Sequence, residues 1–134
     1  MNLIINTDGG SRGNPGPGAS GVIIKNEKQE ILFRGGEFLG KVTNNQAEYM
    51  AVLFALEKCE KLNGSELHFR LDSELVVKQI NGEYKIKDAT LGQIFLKIYN
   101  LQSKFKKVIF THIRREQNAE ADAVVNEILD QRHF

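Results

Sequence analysis

Residues 2–7 (NLIINT) are apolar on both faces of an extended segment, the pattern of a strand buried within a sheet. Two further runs, 18–26 (GASGVIIKN) and 30–40 (EILFRGGEFLG), read as strands separated by the turn-like NEKQ of 26–29. Their close spacing predicts antiparallel hairpins, with a bulge at Gly35-Gly36. From Thr43 the period changes. Ala47, Met50, Ala51, Phe54, Ala55 and Cys59 recur at helical spacing over 43–64, with Thr43 and Gln46 as a capping-box pair and Gly64 as the terminator. Leu67, Phe69 and Leu71 then alternate with His68 and Arg70, which predicts a strand over 65–72. A short helix follows over 73–82, ending at Gly82, and Leu91, Ile94, Phe95, Ile98 and Phe105 carry another over about 89–104. KVIFTHIR (107–114) is the last strand. The final helix starts near Asn118, a natural N-cap, and turns Ala121, Val124, Val125, Ile128 and Leu129 inward.

The order βββ-α-β-α-α-β-α predicts an α/β fold, a mixed sheet with helices packed on its faces. Strands 2–7, 65–71 and 107–113 are expected to run parallel, and in open α/β sheets sites gather at the carboxyl ends of such strands. The 134 residues fit one domain, 1–134. There is no long apolar run for a membrane span and no basic or apolar leader at the start. A single cysteine, Cys59, excludes an internal disulfide framework and fits a reducing, cytoplasmic setting. Without a Cys/His cluster there is no basis for a structural zinc site. Net charge is +1, so any nucleic-acid binding must come from local patches and backbone geometry. No strong exposed apolar stripe calls for a partner, so a monomer is expected.

Four carboxylates fall at one edge of this scheme. Asp8 follows the first strand and Asp72 the fourth; Glu48 lies in the first turn or so of the long helix, and Asp122 in the first turn of the last. Taken singly, each has an ordinary explanation: a helix-start acid complements the dipole, and an Asp after a strand is often a turn residue. Taken together, four like charges on one edge repel and need compensation. Hard divalent cations supply it, since Mg²⁺ prefers carboxylate and water oxygens alongside substrate phosphates. Two ions about 3.5–4 Å apart clamp the attacking and leaving oxygens of a phosphoryl displacement.

The segments TDGGSRGNPGPGASG (7–21), TNNQAEYMAVLFAL (43–56), LDSELVVKQING (71–82) and REQNAEADAVVNEILD (115–130) resemble, in order, the four motifs of type 1 ribonuclease H. The resemblance covers nearly the whole chain. It implies a five-stranded mixed sheet, with the first three strands antiparallel and strands one, four and five parallel, flanked by helices. It implies an endoribonuclease that hydrolyses the RNA strand of RNA/DNA hybrids and leaves 5′-phosphate and 3′-hydroxyl ends. Asp8 matches the family's metal-bridging aspartate, and Asp122 the ligand of the ion that activates water. Glu48 and Asp72 match the ligands of the ion on the leaving 3′ oxygen. The ions implied are Mg²⁺, with Mn²⁺ able to substitute. Gly9, Arg12 and Asn14 match positions facing the hybrid's minor groove, where 2′-hydroxyls distinguish RNA from DNA. The glycines at 9 and 10 are expected to permit close approach there, and residues 14–18 to form the turn into the second strand. Thr43, Asn44 and Asn45 match residues contacting the two strands; for Thr43 a simple capping role stands beside this.

The chain also departs from the family pattern. Many members carry a histidine on a mobile loop before the last helix, where this chain has only the short HIRREQNAEAD. His112 lies within the strand pattern and is read as structural; Arg115 is the expected helper that reaches a phosphate. The segment GEYKIKDATLG, with only Lys85 and Lys87, is short for the basic protrusion of some relatives. Hybrid binding would then draw on Lys104, Lys106, Lys107, Arg114 and Arg115, unless these are ordinary solvated surface. Glu74 stands where several relatives have glutamine and is read as a first-turn helix acid. A binding module that keeps the fold without catalysis, and action on double-stranded RNA, are the alternatives.

Overall fold

A computed structural model describes residues 1–132. Its strands are β1 (Asn2–Ser11), β2 (Gly16–Lys25), β3 (Ile31–Gly35), β4 (Phe38–Val42), β5 (Glu66–Leu71) and β6 (Lys107–His112). Its helices are α1 (Asn44–Lys61), α2 (Glu74–Ile80), α3 (Ala89–Gln102) and α4 (Ala119–Asp130), with a 3₁₀ turn over Arg115–Asn118. The sheet runs β3-β2-β1-β5-β6, with β4 also on β2. β1 pairs antiparallel with β2 and parallel with β5, and β5 parallel with β6. The mixed sheet and its parallel core are as expected.

The expected third strand is divided. β3 pairs with the far half of β2 and β4 with the near half, so the sheet has six strands, two of them in line along one edge. The break falls at Gly36-Glu37. There the main chain comes so close to β2 that a Cβ on Gly36 would sit 1.8 Å from the Ser20 carbonyl oxygen. The Glu37 amide donates to Ser20 Oγ at 3.0 Å, and Glu37 O accepts from the Ser20 amide at 3.0 Å.

The alternation along each strand sends one set of side chains to each face. Leu3, Ile5, Val22, Ile24, Leu67, Phe69, Leu71 and Phe110 pack with Tyr49, Val52, Leu56 and Cys59 of α1 and with Leu91 and Ile98 of α3. On the opposite face Ala19 and Ile23 meet Ala121, Val124, Val125 and Leu129 of α4. α1 buries a wider stripe than the sequence pattern gives, adding Tyr49, Val52 and Leu56, because it lies between the sheet and α3. Met50 and Phe54, by contrast, are half-buried.

The capping box forms as expected: Thr43 Oγ1 accepts from the Gln46 amide at 3.1 Å, and Gln46 Oε1 from the Thr43 amide at 2.9 Å. At the other end Asn63 (φ 58°), not Gly64, takes the left-handed conformation. Phe105 lies beyond α3, half-buried against the core. Asn118 does not cap α4 with its side chain, which is buried and engaged elsewhere. Among the described residues no helix is long and apolar enough to cross a membrane.

Candidate active site

β1 does not end at Thr7 as its pattern suggests. It runs to Ser11, and Asp8 is a strand residue opposite Gly21 of β2. What ends near Asp8 is the parallel pairing: the last β1–β5 pair is Asn6 with Arg70, after which the chain leaves for α2. The departing neighbour opens a cleft of about 490 Å³ beside Asp8. Alternation points Asp8 to the α4 side of the sheet, and Gly9 to the α1 side. A Cβ on Gly9 would lie 2.3–2.4 Å from the backbone of Ala47 and Glu48. Gly9 therefore lets α1 sit on β1 at Ala47-Glu48, just past its first turn, and bring Glu48 to the cleft; its bare face is filled by the protein itself. Gly10 has no such demand, since a Cβ there would meet Val125 at an ordinary 3.7 Å.

Asp8, Glu48 and Asp72 each offer one carboxylate oxygen, and the three lie within 4.8 Å of one another. The fourth carboxylate, Asp122, lines the same cleft close enough to Asp8 to raise its pKa, and accepts from Asn126 Nδ2 at 3.3 Å. Burial pushes the Asp8 carboxyl up to about 8, reinforced by the Asp72 charge, by Asp122 and by the Glu48 charge. Glu48 is pushed up to about 7, again mainly by burial; a bond with Ser73 opposes the shift and Asp72 adds to it. Oxygen-only donors crowded in this way, which resist ionisation unless positive charge arrives, suit a hard divalent cation.

The expected substrate residues divide. Arg12, Asn44 and Arg115 line the cleft together with Gly9. The Arg12 guanidinium pairs with Asp130 at the end of α4. Asn44 Oδ1 accepts from the Ser11 amide at 2.9 Å and Oγ at 3.0 Å, while Asn14 Oδ1 accepts from the Asn44 amide at 3.0 Å. Asn14 and Asn44 thus fasten the β1–β2 connection to the start of α1. Thr43 is held in its cap. Thr43, Asn45 and Asn14 stand outside the cleft lining. Residues 16–18, expected in the turn, belong to β2.

His112 ends β6 in a separate groove with Glu74, Lys78 and Asn81; its Nδ1 is 4.0 Å from Glu74 Oε2. Glu74 pairs with Lys78 one turn on at 3.1 Å, as a first-turn acid should. The expected basic cluster does not exist as one patch. Lys104, Lys106 and Lys107 stand at the start of β6 and Arg114 and Arg115 beyond its end, so six strand residues, about 20 Å, separate them. Lys104 is moreover paired with Glu60 at 3.0 Å. The residue that sequence reasoning missed is Asn118, whose side chain bonds Asp72; the N-cap pattern at a helix start hid it.

Residues 6–128 match the family model described as reverse transcriptase-like. A ribonuclease H of Dechloromonas aromatica is 30% identical over 138 residues, covering 90% of this chain and 88% of that protein. The chain belongs to the ribonuclease H family. Ribonuclease HI of Halobacterium salinarum is 40% identical over 123 residues, 92% of this chain and 62% of that protein. Among solved structures, the RNase H1 of Halobacterium salinarum superposes with a TM-score of 0.96 at 37% identity, covering 98% of this chain and 100% of the other. An RNase H1 crystallised in complex with an RNA/DNA hybrid matches at 0.92 with 43% identity, covering 96% and 97%. The chain spans 36% of the length of a bifunctional protein of Mycobacterium tuberculosis that it matches at 34% identity.

Proposed function

We propose that this protein is an endoribonuclease that hydrolyses the RNA strand of RNA/DNA hybrids, leaving 5′-phosphate and 3′-hydroxyl ends, and that it acts as a cytoplasmic monomer. The observation that carries this reading is the convergence of Asp8, Glu48 and Asp72 within 4.8 Å in a cleft that Asp122 also lines. A ribonuclease H relative binds such a hybrid. Glu48 and Asp72 would serve as ligands of one Mg²⁺ and Asp122 of a second, with Asp8 contributing to both, and Mn²⁺ would substitute. When bound, such ions supply an acidified water and neutralise charge on a leaving oxygen.

The chain's own residues do the rest. The four carboxylates are fixed by three different elements and a loop, so the site is preorganised. Arg115, exposed on the 3₁₀ turn, reaches a backbone phosphate of the substrate, and Asn44 contacts a strand at the rim. The main chain at Gly9, which lines the cleft, and the Arg12–Asn14 turn face the minor groove, while Thr43 and Asn45, either side of Asn44 in the chain, contact the two strands. Arg12 must then exchange Asp130 for the nucleic acid.

The test compares labelled RNA/DNA hybrid with duplex DNA, duplex RNA and single-stranded RNA, with Mg²⁺ or Mn²⁺. Cleavage confined to the RNA strand of the hybrid is expected. Cleavage of duplex RNA as well would widen the substrate class. Cleavage of duplex DNA, or none of hybrid with either metal, contradicts the reading; binding without cleavage would make the protein a hybrid-binding module.

A further inference from the structure

We infer that Asn118 is a positioning residue for the acidic cluster, holding the Asp72 carboxylate in place for a divalent cation; this rests on the cation-site reading above. Asn118 is 1% exposed, yet its side chain does nothing for the helix it precedes. Nδ2 donates to Asp72 Oδ2 at 3.0 Å and to the Thr7 carbonyl oxygen at 2.8 Å. Oδ1 accepts from Asn6 Nδ2 at 3.0 Å. Both amide hydrogens and the carbonyl are therefore used, and the polarity of the group is fixed. Turned over, its oxygen would face a carbonyl and a carboxylate.

The location gives this amide its reach. Thr7 O belongs to the peptide that leads directly into Asp8. Asp72 is bonded directly. Asp122 lies one helical turn further along α4, on the same segment that Asn118 anchors. One buried side chain thus ties together the strand, the loop and the helix that carry three of the four carboxylates.

The bond to Oδ2 restrains Asp72 from turning about its terminal torsion and leaves Oδ1 without that partner. Where a ligand must be aimed, such outer partners change metal affinity by about 10–100-fold. A purely structural amide would be equally well satisfied by backbone groups alone. Here one of its two donors is spent on a carboxylate of the cluster.

The experiment is a calorimetric Mn²⁺ titration of the full chain, with thermal unfolding measured in parallel. Asn118→Ala is expected to weaken Mn²⁺ binding about tenfold and to raise the Mg²⁺ needed for half-maximal cleavage, with the KM for hybrid little changed. Ile98→Ala, a core variant on α3 that lowers Tm and carries none of the four carboxylates on its helix, is expected to leave Mn²⁺ affinity unchanged. In an Asp72→Asn background, Asn118→Ala is expected to cause no further loss, because the residue it acts through no longer ligates. Should Asn118→Ala fail to fold, Asn6→Ala removes the bond that holds the amide from the other side, and a loss of about threefold is expected. Mn²⁺ affinity within twofold of the parent in a folded Asn118→Ala or Asn6→Ala, or an equal further loss in the Asp72→Asn background, overturns the inference. A parent protein that binds no Mn²⁺ overturns the cation-site reading itself, which keeps the two failures apart.

Discussion

Glu48 and Tyr49 are neighbours on α1 and belong to regions built on opposite physical terms. Tyr49 is fully buried among Leu3, Phe69 and Leu56, and its one polar atom is satisfied by Gln79 Oε1 at 2.6 Å. Everything around it lowers the free energy of the folded chain. Glu48, one residue earlier, is turned into a cleft where burial and Asp72 raise its pKa to about 7. Asp8 is worse placed still, at about 8. Local stability is given up in the cleft and recovered in the core beneath it, and that asymmetry marks a site where a ligand completes the charge balance.

Substitutions on the two sides should therefore behave in opposite ways. The largest effect is expected at Asp8. Asp8→Asn removes the carboxylate shared by the cluster, and hybrid cleavage should fall by about a thousandfold or more. Its metal-free Tm should hold or rise, because a crowded acid has gone. An active Asp8→Asn protein would break the contrast at its centre.

Phe69→Ala should do the reverse. The ring is fully buried and stacked on Phe110 at a centroid distance of 4.9 Å. Truncation should cost about 3–5 kcal/mol of stability in denaturant unfolding, while the folded fraction keeps its kcat at low temperature. A lost kcat in folded Phe69→Ala would mean that core and cleft are not separable.

The smallest effect is expected at the rim. Arg115→Ala should lower kcat by about two- to fivefold, the worth of an exposed charge contact of at most about 1 kcal/mol. A kcat within twofold of the parent would retire Arg115 as a helper and confine the chemistry to the carboxylates.

The contrast also explains what was legible in the sequence. Helical and strand periods follow from burial on one face, so β1, β5, β6 and every α-helix could be read from spacing. The four carboxylates were legible because each sits in its own motif. Three things were not. The split of the edge strand into β3 and β4 depends on how closely Gly36 approaches β2, a tertiary distance. The continuation of β1 past Asp8 is set by its pairing with β2 after β5 has left. Asn118 reads as a helix cap because caps are local, whereas its partners Asn6, Thr7 and Asp72 are distant in sequence. The lysines near Lys106 illustrate the converse: they are close in sequence to Arg114 and far from it in space.

The most direct test of the central claim, that these acids form a cation site rather than a set of turns and caps, is Tm against pH with and without Mg²⁺, for the parent and Asp8→Asn. Asp8 and Glu48 have folded-state pKa values raised to about 8 and about 7. Between roughly pH 4 and 8 the folded state thus binds more protons than the unfolded one, and stability falls as pH rises. The parent should lose Tm relative to Asp8→Asn from pH 5 to pH 9 without divalent cations. Mg²⁺ should restore it by an increment that grows with pH and is much reduced in Asp8→Asn. Parallel curves for the two proteins, unaffected by Mg²⁺ at every pH, would contradict the account.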